Sequence, residues 1–456
     1  VAEQRDVTLV LDFCLRVGEV LLASGAGAAD VAATMQSLAR TLGARQADVD
    51  ITFTSLSMSY QERPEDWPLV ATRQVRSRVI DYQDLTRVDH LVRSVLRGDL
   101  ELPEARTELL RVVSTGHDRP RWAVSLGWGA MVAGIGLQVG GDLTVCLLGL
   151  LASVIIDRLQ LRMSRRRFPY FYQQVVGGAV ATLVAVVAAV TPLEVDVSLV
   201  VTANIVMLLA GIGFMGALQD ALTGFYITAG ARLIEVLLAT AGIIAGVTGG
   251  LGIAVAAGSD LPPLDPGPDT IPSLGLTALG AALAAAAFAF SSYSPKRVLL
   301  PVALVSAVAI SISRVDVAPG VGQTWAVAIA ATFVGLVGYG VAARLRVPPL
   351  VVVVSAVVPM LPGLSIYRGL SLLAEAEPGY SSEGILALVT AAATALALAA
   401  GVLLGEYVVQ PLAREARRLE DRLSGPRLVG PVRVRRDRVR RRRVRSRPRR
   451  ETPESR

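Results

Sequence analysis

The chain has 456 residues, of which 52% are hydrophobic and only 18% charged, with a mean hydropathy of +0.52. Soluble domains are nearer a quarter charged, so the composition excludes a disordered polymer and argues against an ordinary soluble enzyme of this size. The net charge of +7 is local: residues 431–450 hold twelve Arg and one Asp, the rest of the chain is net acidic, and the basic pI does not point to nucleic acid. Two cysteines, Cys14 and Cys146, and two histidines, His90 and His117, are too few for a disulfide framework or a cysteine zinc site, and leave little for a histidine centre. No cofactor or metal is expected.

Residues 1–118 read as a small soluble α/β domain. Val7–Ala23 is an apolar-faced helix ended by Ser24-Gly25-Ala26-Gly27, where glycine supplies a left-handed cap. Val31, Met35, Leu38 and Leu42 mark a second helix closed by Gly43. Alternation over Asp50–Ser57 predicts one strand, with Leu69–Val75 as its partner. Two further helices are predicted at about 82–97 and 103–114, the latter opened by Pro103. Ser55, Ser57 and Ser59 lack a nucleophile-elbow setting, and His90 has no evident partner, so an accessory role is expected over catalysis.

Ten apolar stretches follow, near 122–138, 142–157, 171–191, 197–218, 231–257, 273–292, 297–313, 323–342, 347–370 and 383–409. About 20 apolar residues cross a bilayer core, so the fold class is a polytopic α-helical membrane protein. Arg5, Asp6, Asp12 and Arg16 argue against a cleavable signal peptide. Basic residues cluster in alternate loops: Arg119 and Arg121, Arg158–Arg167, Lys296 and Arg297, Arg344 and Arg346. The opposite loops carry Glu194, Asp196, Asp260, Asp265 and Asp269. This alternation predicts both termini in the cytoplasm. The first five spans (119–258) and the last five (273–410) flank a Pro/Asp-rich external linker at 259–272, and a largely disordered Arg-rich cytoplasmic tail occupies 411–456. The arginine run is expected to adhere to membrane lipids rather than to RNA.

An odd number of spans per half inverts one half relative to the other if both share a fold. Aligning Val201–Leu218 with Val353–Leu370 matches Gly211 to Gly363, and both spans are interrupted: by Gly211, Gly213 and Gly216 in one, by Pro359, Pro362 and Gly363 in the other. Matched interruptions in inverted five-helix repeats point to a transporter's solute site, because freed backbone groups survive at membrane depth only beside protein, water or solute. Close packing of small residues is the plainer alternative.

These features, with Ser24-Gly25-Ala26, Val31, Met35, Leu42 and Gly43, then Gly98, Glu104-Ala105 and Leu109, then Leu361-Pro362-Gly363, make the chain resemble the threonine/serine exporter (ThrE) family over about 1–410. The resemblance implies a cytoplasmic N-terminal domain, ten spans in two halves, and export of threonine and serine across the cell membrane. Ala210-Gly211 stands where the family commonly has Pro-Gly, and Gln219-Asp220 where an Arg-Asp pair is expected. Split two-subunit relatives are associated with dicarboxylate export, so the scaffold does not fix the solute.

The expected solute-binding residues are Asn204, Gly211, Gly213, Phe214, Ser355, Pro362, Gly363 and Tyr367, with Thr202, Met215 and Ser365 nearby. Freed helix N-terminal amides would take a carboxylate, and carbonyls or Asp220 an ammonium. Ionisable groups at span ends are functional candidates by default: Asp220, Arg232, Glu235 and Arg368 are assigned to coupling or gating. Arg232 and Glu235 are expected to pair at i, i+3, while Asp157 and Glu406 read as interface anchors. No Walker A pattern occurs, so a secondary transporter driven by protons, with alternating access between the halves, is the leading expectation. A homo-oligomer is compatible with it. The alternatives are export of dicarboxylates or other small metabolites, and a membrane-tethered hydrolase acting through residues 1–118.

Overall fold

The computed structural model describes residues 2–75, 79–191, 195–208, 211–257, 273–314, 322–374 and 380–423. The linker 259–272, Ala210 and the arginine run 433–450 lie outside them. The chain divides into a unit of residues Val1–Gln410, to which all that follows belongs apart from the end of the last helix, and a second of Pro411–Arg456.

The first 114 residues form helices α1 (Ala2–Ala23) and α2 (Ala28–Thr41), strands β1 (Ala47–Thr52), β2 (Ser55–Tyr60) and β3 (Leu69–Gln74), and helices α3 (Tyr82–Arg97) and α4 (Leu102–Ser114). The strands make an antiparallel meander in the order β1-β2-β3. Gly25 (φ +97) and Gly43 (φ +103) sit at the left-handed positions expected of them. Leu11, Phe13 and Val17 of α1 pack with Val31, Met35 and Leu38 of α2, all fully buried. Burial also pushes the Cys14 thiol up to about 12, which makes it an inert core residue.

The single strand expected over Asp50–Ser57 is two. β1 and β2 pair from Ala47↔Tyr60 to Thr52↔Ser55, leaving Phe53-Thr54 as a two-residue turn, with Phe53 at φ +35. Tight hairpins are announced by Asn or Gly; here the alternation runs through the turn unmarked. The compensation comes from far away: the Phe53 N–H donates to Oγ1 of Thr228, 175 residues on, at 3.1 Å.

Ten helices or helix pairs then coincide with the ten apolar stretches: α5 (Arg121–Gln138), α6 (Leu143–Arg165), α7 (Tyr170–Ala189), α8 (Val197–Leu208) with α9 (Gly211–Leu222), α10 (Tyr226–Ala256), α11 (Leu274–Ser291), α12 (Lys296–Arg314), α13 (Gln323–Leu345), α14 (Pro349–Val357) with α15 (Gly363–Ala374), and α16 (Tyr380–Leu423). Among the described residues seven single helices are long and apolar enough to cross a membrane, and up to nine if each bent pair is one span. The remaining helix, α5, falls short of that measure. It exchanges large apolar residues for Gly127, Gly129, Gly134 and Gly136, because it is packed closely between α6, which Gly129 and Gly136 face, and α11, which Gly127 and Gly134 face. A Cβ on Gly134 would stand 2.6 Å from the Ala284 nitrogen, and one on Gly280 2.5 Å from the Gln138 nitrogen.

Similar glycine crossings recur in both halves. In the first, a Cβ on Gly178 of α7 would meet the Ile243 carbonyl oxygen of α10 at 2.6 Å. In the second, one on Gly405 of α16 would meet the Thr332 carbonyl oxygen of α13 at 2.5 Å. Small residues let apolar helices approach until dispersion replaces the hydrophobic effect as the cohesive force. Neighbour relations also correspond: α8 packs on α5, α6 and α7, and α14 on α11, α12 and α13.

Residues 1–114 do not keep a core to themselves. One buried cluster runs from Leu11, Met35 and Leu56 through Tyr82 to Val132, Phe288, Val298 and Val351.

Candidate functional site

The two bent pairs define the site. α8 and α9 meet at 41°, and α14 and α15 at 46°, the latter across a 3-10 turn at Val358–Met360. Pro362 has no N–H to give, and the Leu361 N–H instead reaches the Val358 carbonyl at 3.2 Å. The freed Pro359 carbonyl accepts a hydrogen bond from Nε2 of buried Gln138, on α5, at 2.9 Å. The helices beyond the breaks change sides. Met215 of α9 is buried among residues of the second half, including Ala281, Val305 and Val327. Tyr367 of α15 is buried among residues of the first half, including Ile156, Ala181 and Ile243.

A small, partly open cavity of about 90 Å³ lies between the breaks. The first half contributes Trp128 and Met131 of α5, Val206 and Met207 of α8, and Ile212 of α9; the second contributes Phe288 of α11, Val358, Leu361 and Gly363; Ile80 comes from the N-terminal region. Trp128 and Phe288 meet edge to face at 5.8 Å and make an aromatic corner. Gly363 opens the first turn of α15 on this space, and such a turn carries N–H groups with no intrahelical acceptor.

Of the expected solute-binding residues, Gly363 lines the cavity; Gly211 opens α9 next to Ile212, and Pro362 is buried beside Gly363. Gly213 and Phe214 are half-buried but off its wall. The polar candidates Asn204, Ser355 and Thr202 lie off the cavity wall. Asn204 is fully buried, its Nδ2 donating to the Val200 carbonyl of its own helix at 2.9 Å, and its Oδ1 has no hydrogen-bond partner. Ser355 donates to the Val351 carbonyl at 2.7 Å and is hydrogen-bonded to the phenol of Tyr82. Thr202 is also fully buried off the cavity wall.

The ionisable candidates resolve differently from expectation. Arg232 pairs with Asp220 at 2.9 Å, both buried, while Glu235 is exposed. The i, i+3 partner on the same helix loses because Asp220 lies within reach of the side of α10 that is buried. Arg368 is exposed. Asp157 is buried, held by Arg121 at 2.5 Å and by the Ser125 hydroxyl at 2.6 Å.

Asp220 has a second role. α2 has Gly27 at its N-cap, which offers no side-chain acceptor. Oδ1 of Asp220 instead accepts the Ala28 N–H at 3.0 Å, capping that helix from 192 residues away. Desolvation at this seam, and the Asp220 charge after it, raise the pKa of Asp30, although its side chain is exposed to solvent. Further bonds join the N-terminal region to the second half. The Tyr82 N–H donates to the Ser292 carbonyl at 2.9 Å. His90, expected to lack a partner, lies 2.8 Å from the Arg346 carbonyl. Arg119 binds the Phe290 and Ser294 carbonyls and covers the Phe290 ring at 4.3 Å.

Asp81, Asp84 and His117 bring ligand-type atoms within 4.8 Å of one another. Asp81 is already the cap of α3, accepting the Gln83 and Asp84 N–H groups at 3.0 Å. It also bonds to His117, whose ring stacks on Tyr293 at 3.9 Å, so the cluster is accounted for as a brace.

Sequence reasoning passed over the cavity's actual wall. Trp128, Met131, Met207 and Phe288 are apolar residues in apolar helices, and nothing in their pattern separates wall from core.

The threonine/serine exporter model ThrE matches residues 12–254, and a second, described as "Threonine/Serine exporter, ThrE", matches 277–408. A "Probable threonine/serine exporter" of Mycobacterium tuberculosis is 35% identical over 425 residues, 91% of this chain and 80% of that protein. A "Threonine/serine exporter" of Corynebacterium glutamicum is 31% identical over 424 residues, 91% of this chain and 85% of that protein. No solved structure matches the chain.

Proposed function

The chain belongs to the threonine/serine exporter family, a family of transporters and not of enzymes, and from that premise we propose that it exports threonine and serine through the cavity between the two breaks. The hydrolase alternative falls with the family, and nothing favours dicarboxylates.

The observation that carries this reading is the position of the cavity. It is walled by both halves and flanked by the two interruptions, where broken helices place unsatisfied backbone groups within reach of a solute. The solute's carboxylate meets the N–H groups that open α15, where the helix dipole also favours negative charge. Its ammonium is left to carbonyls freed at the breaks. Ten spans, with α5 as the first, and two inverted repeats complete the reading. The corresponding neighbour sets of α8 and α14 and the reciprocal exchange of α9 and α15 support it.

The N-terminal region covers the ends of the spans that carry the basic loops, touching Asp220 and Thr228 on one half and Ser292 and Arg346 on the other. By the positive-inside rule that face is cytoplasmic. Alternating access then requires these bonds to open when the cytoplasmic mouth opens, and Asp220–Arg232 is the ionisable pair placed to couple that step to protons.

The test is counterflow of radiolabelled threonine into proteoliposomes loaded with unlabelled threonine. Uptake above that of empty vesicles, reduced by external serine and lost in Gly363→Val at normal expression, is the expected result; no uptake by the wild-type protein overturns the reading.

A further inference from the structure

Resting on the reading that the cavity is the solute site, we propose that Val79–Tyr82 is its cytoplasmic gate. Ile80 is the plug, Tyr82 is the catch that holds it, and solute enters from the cytoplasm only when this segment withdraws.

The cavity's walls come from the spans except at one place. Among the described residues, Ile80 is the one lining side chain that the N-terminal region supplies. It completes a wall made by Met207 and Ile212 of the first half and by Phe288 and Gly363 of the second, so it stands where the two halves separate. The turn between α1 and α2 backs it: a Cβ on Gly25 would lie 3.6 Å from Cγ1 of Ile80, and the Val79 N–H donates to the Ala23 carbonyl at 3.0 Å. Ile80 is only half-buried, and an apolar side chain seals a passage by excluding water, with no bond of its own to break.

Tyr82, two residues on, fixes the plug to the spans. Its ring is fully buried and meets Phe288 of α11 edge to face at 6.3 Å. Its N–H donates to the Ser292 carbonyl at the end of α11 at 2.9 Å. Its phenol is hydrogen-bonded to Ser355 of α14; the Ser355 proton goes to the Val351 carbonyl, so the phenol is the donor. All these partners belong to the second half. Asp81, between plug and catch, caps α3 and bonds to His117, so Ile80 and Tyr82 move with α3 as one piece. The plug is carried by the second half, and rocking of the halves draws it away from Met207 and Ile212 of the first.

The experiment reads access to the cavity from the cytoplasmic side. Met207 is half-buried on the cavity wall; Met207→Cys is introduced together with Cys146→Ser, and the buried Cys14 stays. A membrane-impermeant thiol reagent is applied to inside-out membrane vesicles, with and without Ile80→Ala, and melting curves verify that each chain folds. Trimming the plug is expected to speed labelling at position 207 by about ten-fold or more, because each buried methylene lost shifts the balance of closed and open states by about three-fold. Ile80→Val, one methylene smaller, gives the same reading at about three-fold should Ile80→Ala not fold. Threonine at a concentration that saturates counterflow is expected to slow this labelling by filling the cavity. Native Cys146, half-buried on α6 and read with a permeant reagent in a chain that keeps Met207, is expected to hold its rate in Ile80→Ala. If the trimmed chain folds and labels at position 207 no faster, while threonine still alters the rate, the cavity is the site but Ile80 does not gate it, and the inference falls alone. An equal rise at Cys146 means general loosening and has the same effect. If threonine leaves the labelling unchanged in both chains, the cavity is not the solute site and both readings fall.

Discussion

Asp220 carries two obligations at once, capping α2 from a distance and neutralising Arg232. Asparagine retains an oxygen for the Ala28 N–H but leaves Arg232 a buried, unpaired charge. Breaking such a pair costs about 3–5 kcal/mol, whereas replacing both partners costs far less. Asp220→Asn is therefore expected to lower the melting temperature and transport together, and Asp220→Asn with Arg232→Gln to recover much of the stability; a double-mutant cycle read by thermal melting checks this. Asp30 gives the pH arm. Its pKa is raised in the folded protein, so its ionisation is penalised there: the penalty is absent below the ordinary value of 3.8, grows as pH rises through the raised value, and is constant above it. Asp30→Asn should stabilise the protein near neutral pH and flatten the acid side of its stability profile. Sequence alone singled out Asp220 and Arg232 but gave Arg232 the wrong partner, because i, i+3 spacing sees only one helix and the winning carboxylate belongs to another.

The helices of the membrane region were legible because each must be long and apolar, a demand written into every residue of a span. Their breaks were legible too, since Pro362 and the glycines near 211 disfavour continuous helix. What could not be read was pairing between elements. The crossing of α7 and α10 depends on Gly246, whose absent Cβ is replaced by the Val175 carbonyl, and that of α13 and α16 on Gly405. Gly246→Ala and Gly405→Ala must each push two backbones apart. A loss of about 1–3 kcal/mol by overpacking is expected for each, measured as a fall in thermal stability, while Gly230→Ala, with open space at its Cβ position, changes little. The β1–β2 turn shows the same limit at smaller scale: Phe53-Thr54 turns without glycine because Thr228 holds its N–H.

Taken whole, the molecule is tied across its basic face. The N-terminal region bonds to the end of α9 and the start of α10 in one half, and to the loops after α11 and α13 in the other. On the proposed reading a strap bonded to both halves closes one mouth, and its loss is then expected to change transport and not merely abundance. Deleting residues 1–110 is expected to abolish threonine counterflow even where the remaining chain inserts, read by transport per molecule of protein in the vesicle. A reporter fused after residue 410 should give a cytoplasmic signal. The basic loops that lie on this face are legible in the sequence, whereas the dependence of residues 1–114 on the spans left no mark, because a helix face that packs on a neighbouring region looks the same as one that packs within its own.

That shared core has a consequence for synthesis. The first 114 residues leave the ribosome before the helices that complete their buried cluster, for Phe288, Val298 and Val351 follow much later in the chain. At roughly 5–20 residues per second, the interval is on the order of ten seconds or more. During it the apolar surface around Tyr82, which in the finished protein meets Phe288 edge to face at 6.3 Å, lacks that partner, while the nascent helices behind it are entering the bilayer. The region must either be shielded by a chaperone or remain partly unfolded until α14 arrives, and its final folding is then a report that the last spans are in place.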